Sequence, residues 1–270
     1  FHAAGRSTGY QMGAAVLRSW SRNISHQVVV SKDALALVET VAAGGYEMLF
    51  NGVEVPMYRD AVAHPTEGPT IFFCGRHEER KGLEVLLQAM GSLGPEVRLW
   101  IGSTGPDSDR LRSEHGADPR IEWLGRLSDA DKCSRLKGAD VFCAPSLHGE
   151  SFGVVLIEAM AAGTAIVASG LDGYRNVATN EVDALLVEPG DVGALVVALQ
   201  RLFTDGALRA RLQAAGECRA ETFSMDKLAR RYAEIYTSLV ATGERRSEWQ
   251  LRTALWRARL ANRMPRMMQG

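Results

Sequence analysis

Residues 148–163 read His-Gly-Glu-Ser-Phe-Gly-Val-Val-Leu-Ile-Glu-Ala-Met-Ala-Ala-Gly, and this run sits between two short apolar segments. Asp140-Val-Phe-Cys-Ala144 before it has the length and composition of a buried strand, with Pro145 as its stop. Ala165-Ile-Val-Ala168 after it reads the same way. A strand, a polar loop, an apolar helix from about Gly153 to Ala162 and a second strand make a βαβ unit, in which ligands lie at the carboxyl ends of the strands. Glu150 belongs to that loop.

The first turn of such a helix has free N–H groups and a partial positive charge, and its residues here are Ser151, Phe152, Gly153 and Val154. Glycine allows close approach to the backbone, so the site suits a phosphate. Glu158 follows in a helix otherwise filled by Val, Leu, Ile, Ala and Met. A carboxylate in that setting needs a partner, and spacing alone leaves open whether it finds solvent, an arginine or a ligand.

The same alternation runs through the middle of the chain. Strand-like Ile71–Cys74, Val97–Ile101, Arg120–Leu124 and Ala184–Val187 alternate with helical Leu83–Leu93, Asp129–Lys137 and Val192–Phe203. The pattern predicts an α/β fold with a parallel, doubly wound, Rossmann-like sheet. Upstream, Val28–Val30 is strand-like, Ser31 caps a helix from about Lys32 to Ala43, and Asn51-Gly52 is a turn signal. Residues 53–69 contain Pro56, Pro65 and Pro69 and little periodicity, and read as a linker. The expected organisation is 1–66 as the end of one domain with its linker and 67–223 as a second, Rossmann-like domain. A tail helix over 224–242 and a basic extension over 243–270 complete it.

At 270 residues the chain can bury one large core or two smaller ones, and a net charge of -1 gives no reason to propose nucleic acid as a partner. Cys74, Cys133, Cys143 and Cys218 show no C-x-x-C spacing, which favours reduced thiols in a cytoplasmic protein. No apolar stretch approaches the roughly 20 residues that span a bilayer. Residues 245–270 carry seven arginines and one glutamate, with Trp249 and Trp256 among them. Such a segment suits an anionic membrane surface or a solvated tail equally.

Arg76 and Lys81 flank a polar loop, opened by Gly75, directly after the Ile71–Cys74 strand, where two cations can neutralise a diphosphate; position alone suits a solvated loop equally. The loop lacks the order of a Walker A sequence. Gly149-Glu-Ser151-Phe-Gly153 matches G-x-S-x-G, but a hydrolase of that type needs a histidine after the serine, and all six histidines precede it. Asp107-Ser-Asp109 and Asp129-Ala-Asp131 have a metal-binding form; both fall at predicted helix starts, where aspartate acts as a cap.

Together these residues resemble family 4 of the retaining glycosyltransferases, which have the GT-B fold, and most of all the actinobacterial phosphatidylinositol mannosyltransferases. The motifs are Glu150-x7-Glu158, Gly75-Arg76 with Lys81-Gly82, Asn51-Gly-Val53 and Ala139–Pro145. The resemblance implies the C-terminal domain of a GT-B enzyme with a remnant of its N-terminal domain. It implies that Gly75, Arg76, Lys81, Ser151, Phe152, Gly153 and Val154 face the donor diphosphate, and that Glu158 binds ribose. It places Leu127 and Lys132 at the base, and Glu150 and His2 at the transferred sugar as the catalytic pair. It further implies no cofactor and no metal, GDP-mannose as donor substrate, a lipid or glycan acceptor, and work at the inner face of the plasma membrane. The alternatives are a UDP-sugar with a soluble acceptor, or a non-catalytic sugar-nucleotide-binding module. A complete member is expected to carry roughly 100 more residues before Phe1, about a domain's worth, so little turnover is expected of these residues alone.

Overall fold

The computed structural model describes residues 24–40 and 44–241. They fall into two compact units, one of residues up to Leu49 together with those from Ala229 onward, the other running Phe50–Leu228. His2 and the basic segment 245–270 lie outside the described residues.

In the first unit, strands β1 (Gln27–Val29) and β2 (Tyr46–Met48) pair in parallel, with helix α1 (Lys32–Glu39) between them in sequence. Ser31 caps α1 as expected, its hydroxyl accepting from the Ala34 N–H. Glu47 of β2 is held by Arg231 and by His26, and the Arg231 guanidinium keeps its carboxyl below the ordinary range.

The second unit opens with α2 (Val55–Arg59), continues through β3 (Thr70–Cys74), α3 (Leu83–Met90), β4 (Arg98–Gly102), α4 (Ser108–His115), β5 (Ile121–Gly125) and α5 (Asp129–Gly138), and then β6 (Val141–Ala144). It ends with α6 (Val154–Ala161), β7 (Ala165–Ser169), α7 (Asp172–Arg175), β8 (Leu185–Val187), α8 (Val192–Thr204), α9 (Gly206–Glu221) and the start of α10 (Met225–Ala241).

Six strands form one parallel sheet in the order β5-β4-β3-β6-β7-β8. Counted from β3 this is 3-2-1-4-5-6, the doubly wound order, whose direction reverses between β3 and β6. The predicted fold class is therefore the observed one. Helices cover both faces, so the strands are apolar throughout rather than alternating. Phe72, Trp100, Phe142 and Ile166 point into one core layer with Leu136 of α5 and Leu156 of α6. Ile71, Phe73, Leu99, Ile101, Val141 and Val167 point into the other, against α3, α8 and α9.

The segment read as a linker is not featureless. Pro56 sits in the first turn of α2, where its missing N–H costs nothing, and Val55 and Tyr58 are buried. Asn51-Gly52 does not make a hairpin turn: the chain runs straight into Val53, whose N–H donates to the Phe223 carbonyl and whose own carbonyl accepts from Met225. At the D-x-D pairs, Asp107 makes no capping bond, and Ser128 rather than Asp129 caps α5.

Candidate functional site

The reversal of strand order opens a crevice at the carboxyl ends of β3 and β6. The loop after β3 carries Gly75 to Gly82, and the loop after β6 carries Pro145 to Gly153. They are joined by the Leu147 N–H donating to the Arg80 carbonyl at 2.8 Å. Gly82 (φ 67°) ends the first loop in a left-handed conformation, and a Cβ there would overlap the Pro145 carbonyl. Only glycine lets the two loops come this close.

Gly82 and Gly153 are also the N-caps of α3 and α6, and neither has a side chain to accept from the helix N–H groups. In contrast, α8 and α9 are capped by Asp191 and Asp205. Both helices that begin at the crevice thus present unsatisfied donors and the positive ends of their dipoles. Gly153 has φ 92°, and a Cβ would come within 2.7 Å of the Tyr174 ring. The Phe152 side chain turns inward, stacked on Phe50 at 5.2 Å and edge-on to Phe223 at 5.8 Å, which leaves its backbone as the part available to a ligand. Ser151 is exposed.

Each acidic residue of the motif is held by a lysine and a hydroxyl. Glu150, only 10% exposed, takes Lys81 Nζ (20% exposed) at 2.5 Å and the Ser146 hydroxyl at 3.0 Å on the same oxygen. Because Ser146 gives its proton to Glu150, it accepts from the Tyr174 hydroxyl 2.9 Å away. Burial and the Glu150 charge both push the Tyr174 pKa up. Glu158, 12% exposed, takes Lys132 Nζ at 2.5 Å on one oxygen and the Tyr58 hydroxyl at 2.8 Å on the other. The partner that the sequence left open for Glu158 is therefore a lysine and a tyrosine.

Arg76 differs from Lys81. It is 64% exposed and only 3.6 Å from Glu78, whereas Arg80, which the sequence did not single out, reaches Glu78 at 2.7 Å, the Gly149 carbonyl and Glu150. Leu127 lies beside Gly102 at the end of β4 and packs on the core layer that also takes Cys74. Cys74 has its thiol pKa raised by burial. Lys132 is engaged with Glu158, so it belongs to the same cluster as the carboxylate expected at ribose. All four cysteines are free. Among the described residues no cluster of three or more His, Cys, Asp or Glu side chains could hold a metal ion.

His77, inside the β3 loop, is a structural residue. Its Nε2–H donates to the Gly102 carbonyl at 3.3 Å and its Nδ1 accepts from Ser108 at 2.9 Å, a pattern that the neutral ring satisfies.

The family described as glycosyl transferases group 1 matches the chain over residues 55–219. The chain belongs to that family. Among group 1 glycosyl transferases it is similar to the phosphatidyl-myo-inositol mannosyltransferase of Mycobacterium leprae, at 37% identity over 239 residues, covering 85% of this chain and 63% of the relative. The enzyme of the same name from Mycobacterium tuberculosis is 40% identical over 205 residues, covering 72% of this chain and 54% of the relative. The chain thus spans less than two thirds of the length of these curated relatives. The structure superposes on a sucrose-phosphate synthase from Thermosynechococcus elongatus with a TM-score of 0.74 at 27% identity, covering 88% of this chain and 63% of that one. It also matches Anabaena HepE, solved in complex with UDP and glucose, with a TM-score of 0.72 at 18% identity, over 84% and 67% of the two chains. These neighbours share the GT-B fold.

Proposed function

We propose that this chain carries the donor-binding half of a retaining mannosyltransferase that moves mannose from GDP-mannose to a lipid acceptor such as phosphatidylinositol. The observation that carries the donor assignment is the pair of lysine-held carboxylates, Glu150 with Lys81 and Glu158 with Lys132, at the switch point of the sheet beside two uncapped helix starts. The choice of mannose and of an inositol lipid comes from the similarity to relatives named phosphatidyl-myo-inositol mannosyltransferase.

On this reading the diphosphate lies against the starts of α3 and α6, with Lys81 and the exposed Arg76 neutralising it. Glu158 accepts from ribose hydroxyls, Leu127 and Lys132 border the base, and Glu150 accepts from hydroxyls of the sugar. His2, outside the described residues, is assigned to the same sugar. Cleavage of the anomeric C–O bond places negative charge on the diphosphate, which the cations and helix dipoles stabilise. An acceptor hydroxyl adds to the oxocarbenium-like carbon on the face from which the diphosphate departs, and its proton goes to the departing phosphate oxygen. No bound metal is invoked, because two cations and two helix starts supply the charge. The arginine-rich segment 245–270 is proposed to meet the anionic membrane surface. Within the described residues no helix is long and apolar enough to cross a membrane.

Calorimetric titration with GDP, GDP-mannose, UDP and UDP-glucose tests the donor. Binding of the guanine compounds and not of the uridine compounds supports the proposal. Preference for the uridine compounds replaces mannose by another donor sugar on the same site, and no binding of any of them removes the site assignment.

A further inference from the structure

Tyr58 takes no part in the assignments above, and it enters the site from a segment whose sequence gives no hint of it. It sits on α2, 100 positions before Glu158, with 5% of its surface exposed. Its hydroxyl donates to Glu158 Oε1 while Lys132 Nζ occupies Oε2, and Lys132 lies 6.0 Å from the Tyr58 ring centre. The three groups come from three helices, α2, α5 and α6, that pack on one another.

A glutamate has three rotatable bonds, and an isolated one on an apolar helix is free to turn toward solvent. Two donors from different helices, one on each oxygen, fix the carboxylate plane. An ionised carboxylate has about four acceptor positions, so each oxygen keeps one for a further donor. A fixed carboxylate with one open position on each oxygen matches two neighbouring hydroxyls, the vicinal diol of a ribose. A carboxylate held on one side only would lose that two-point match. Burial pushes the Tyr58 pKa above its ordinary value, with the Glu158 charge adding to the effect, so the hydroxyl remains a donor at any working pH.

We propose that Tyr58 is the positioning residue that holds Glu158 in the orientation for two-point recognition of the ribose diol. The inference rests on the reading of Glu158 as the ribose ligand and is tested beside it. Calorimetry compares GDP with 2′,3′-dideoxy-GDP for wild type, Tyr58→Phe and Glu158→Ala; the uridine pair replaces them if the chain prefers uridine. Tyr58→Phe keeps the ring packing and removes only the donor. It is expected to weaken GDP binding about tenfold, the loss of one hydrogen bond to a charged group, and to leave dideoxy-GDP binding unchanged. The unchanged binding also shows that the variant is folded. Equal weakening of both ligands, or of neither, overturns the role of Tyr58. If Glu158→Ala itself fails to discriminate the two ligands, the ribose assignment falls and the inference with it; a selective Glu158→Ala with a non-selective Tyr58→Phe overturns the inference alone.

Discussion

Lys81 Nζ lies 2.5 Å from Glu150 Oε1, so the cation proposed to meet the diphosphate is neutralised by the carboxylate proposed to meet the sugar. The two residues come from different loops, 69 positions apart, and are brought together because Gly82 lets the β3 loop pack onto Pro145. On the proposed reading, a donor entering the crevice competes with Glu150 for Lys81.

Replacing Glu150 with glutamine should therefore separate binding from use. With the competing charge removed, GDP is expected to bind a few-fold more tightly, whereas Lys81→Ala is expected to bind it more weakly. Titration of both variants with GDP reads the signs. A fall in GDP affinity for Glu150→Gln comparable with that of Lys81→Ala would show that Glu150 does not compete for the cation.

Gly82→Ala tests the joint between the loops. The new methyl group meets a backbone carbonyl rather than a movable side chain, in a conformation that side chains rarely adopt. The expected cost is about 2 kcal/mol or more, read as a fall of several degrees in Tm. An unchanged melting temperature would mean that the two loops do not depend on this contact.

His77 predicts a pH dependence with a definite sign. Burial pushes its imidazole pKa below the ordinary value, helped by the charge of Arg112 and opposed by the bond to the Gly102 carbonyl. The unfolded chain therefore binds the proton more readily, and the stability contributed by the neutral ring is lost as pH falls through the unfolded value of about 6.5. The difference in Tm between wild type and His77→Gln should shrink from pH 8 to pH 5. A difference that grows toward acid would mean that the folded state favours the charged ring.

The sheet was legible because buried parallel strands are continuous apolar runs, and β3, β4, β6 and β7 are each bounded by glycine, proline or polar residues. Glu150 and Glu158 stood out as charges beside or within apolar sequence. Their partners were not legible in the pattern itself: Lys81 and Tyr58 lie 69 and 100 positions away, a relation only the fold creates. Tyr58 was hidden by three prolines that made its segment look like a linker, although Pro56 is at home in a first helical turn. Helix α9 has a weak sequence signal because its buried face is Leu208, Leu212, Gly216 and Ala220, a four-residue repeat in which only two members are large and apolar. Nothing in the sequence of its loop distinguishes Arg80 from its charged neighbours.

Glu158, held between Lys132 and Tyr58, is the residue on which the proposed nucleotide-sugar site turns. The most direct measurement is calorimetric titration of wild type and Glu158→Ala with GDP-mannose. Saturable binding by wild type, weakened at least tenfold in the variant while its melting temperature stays within a few degrees, is the predicted result. Equal affinity in the two proteins would contradict the account.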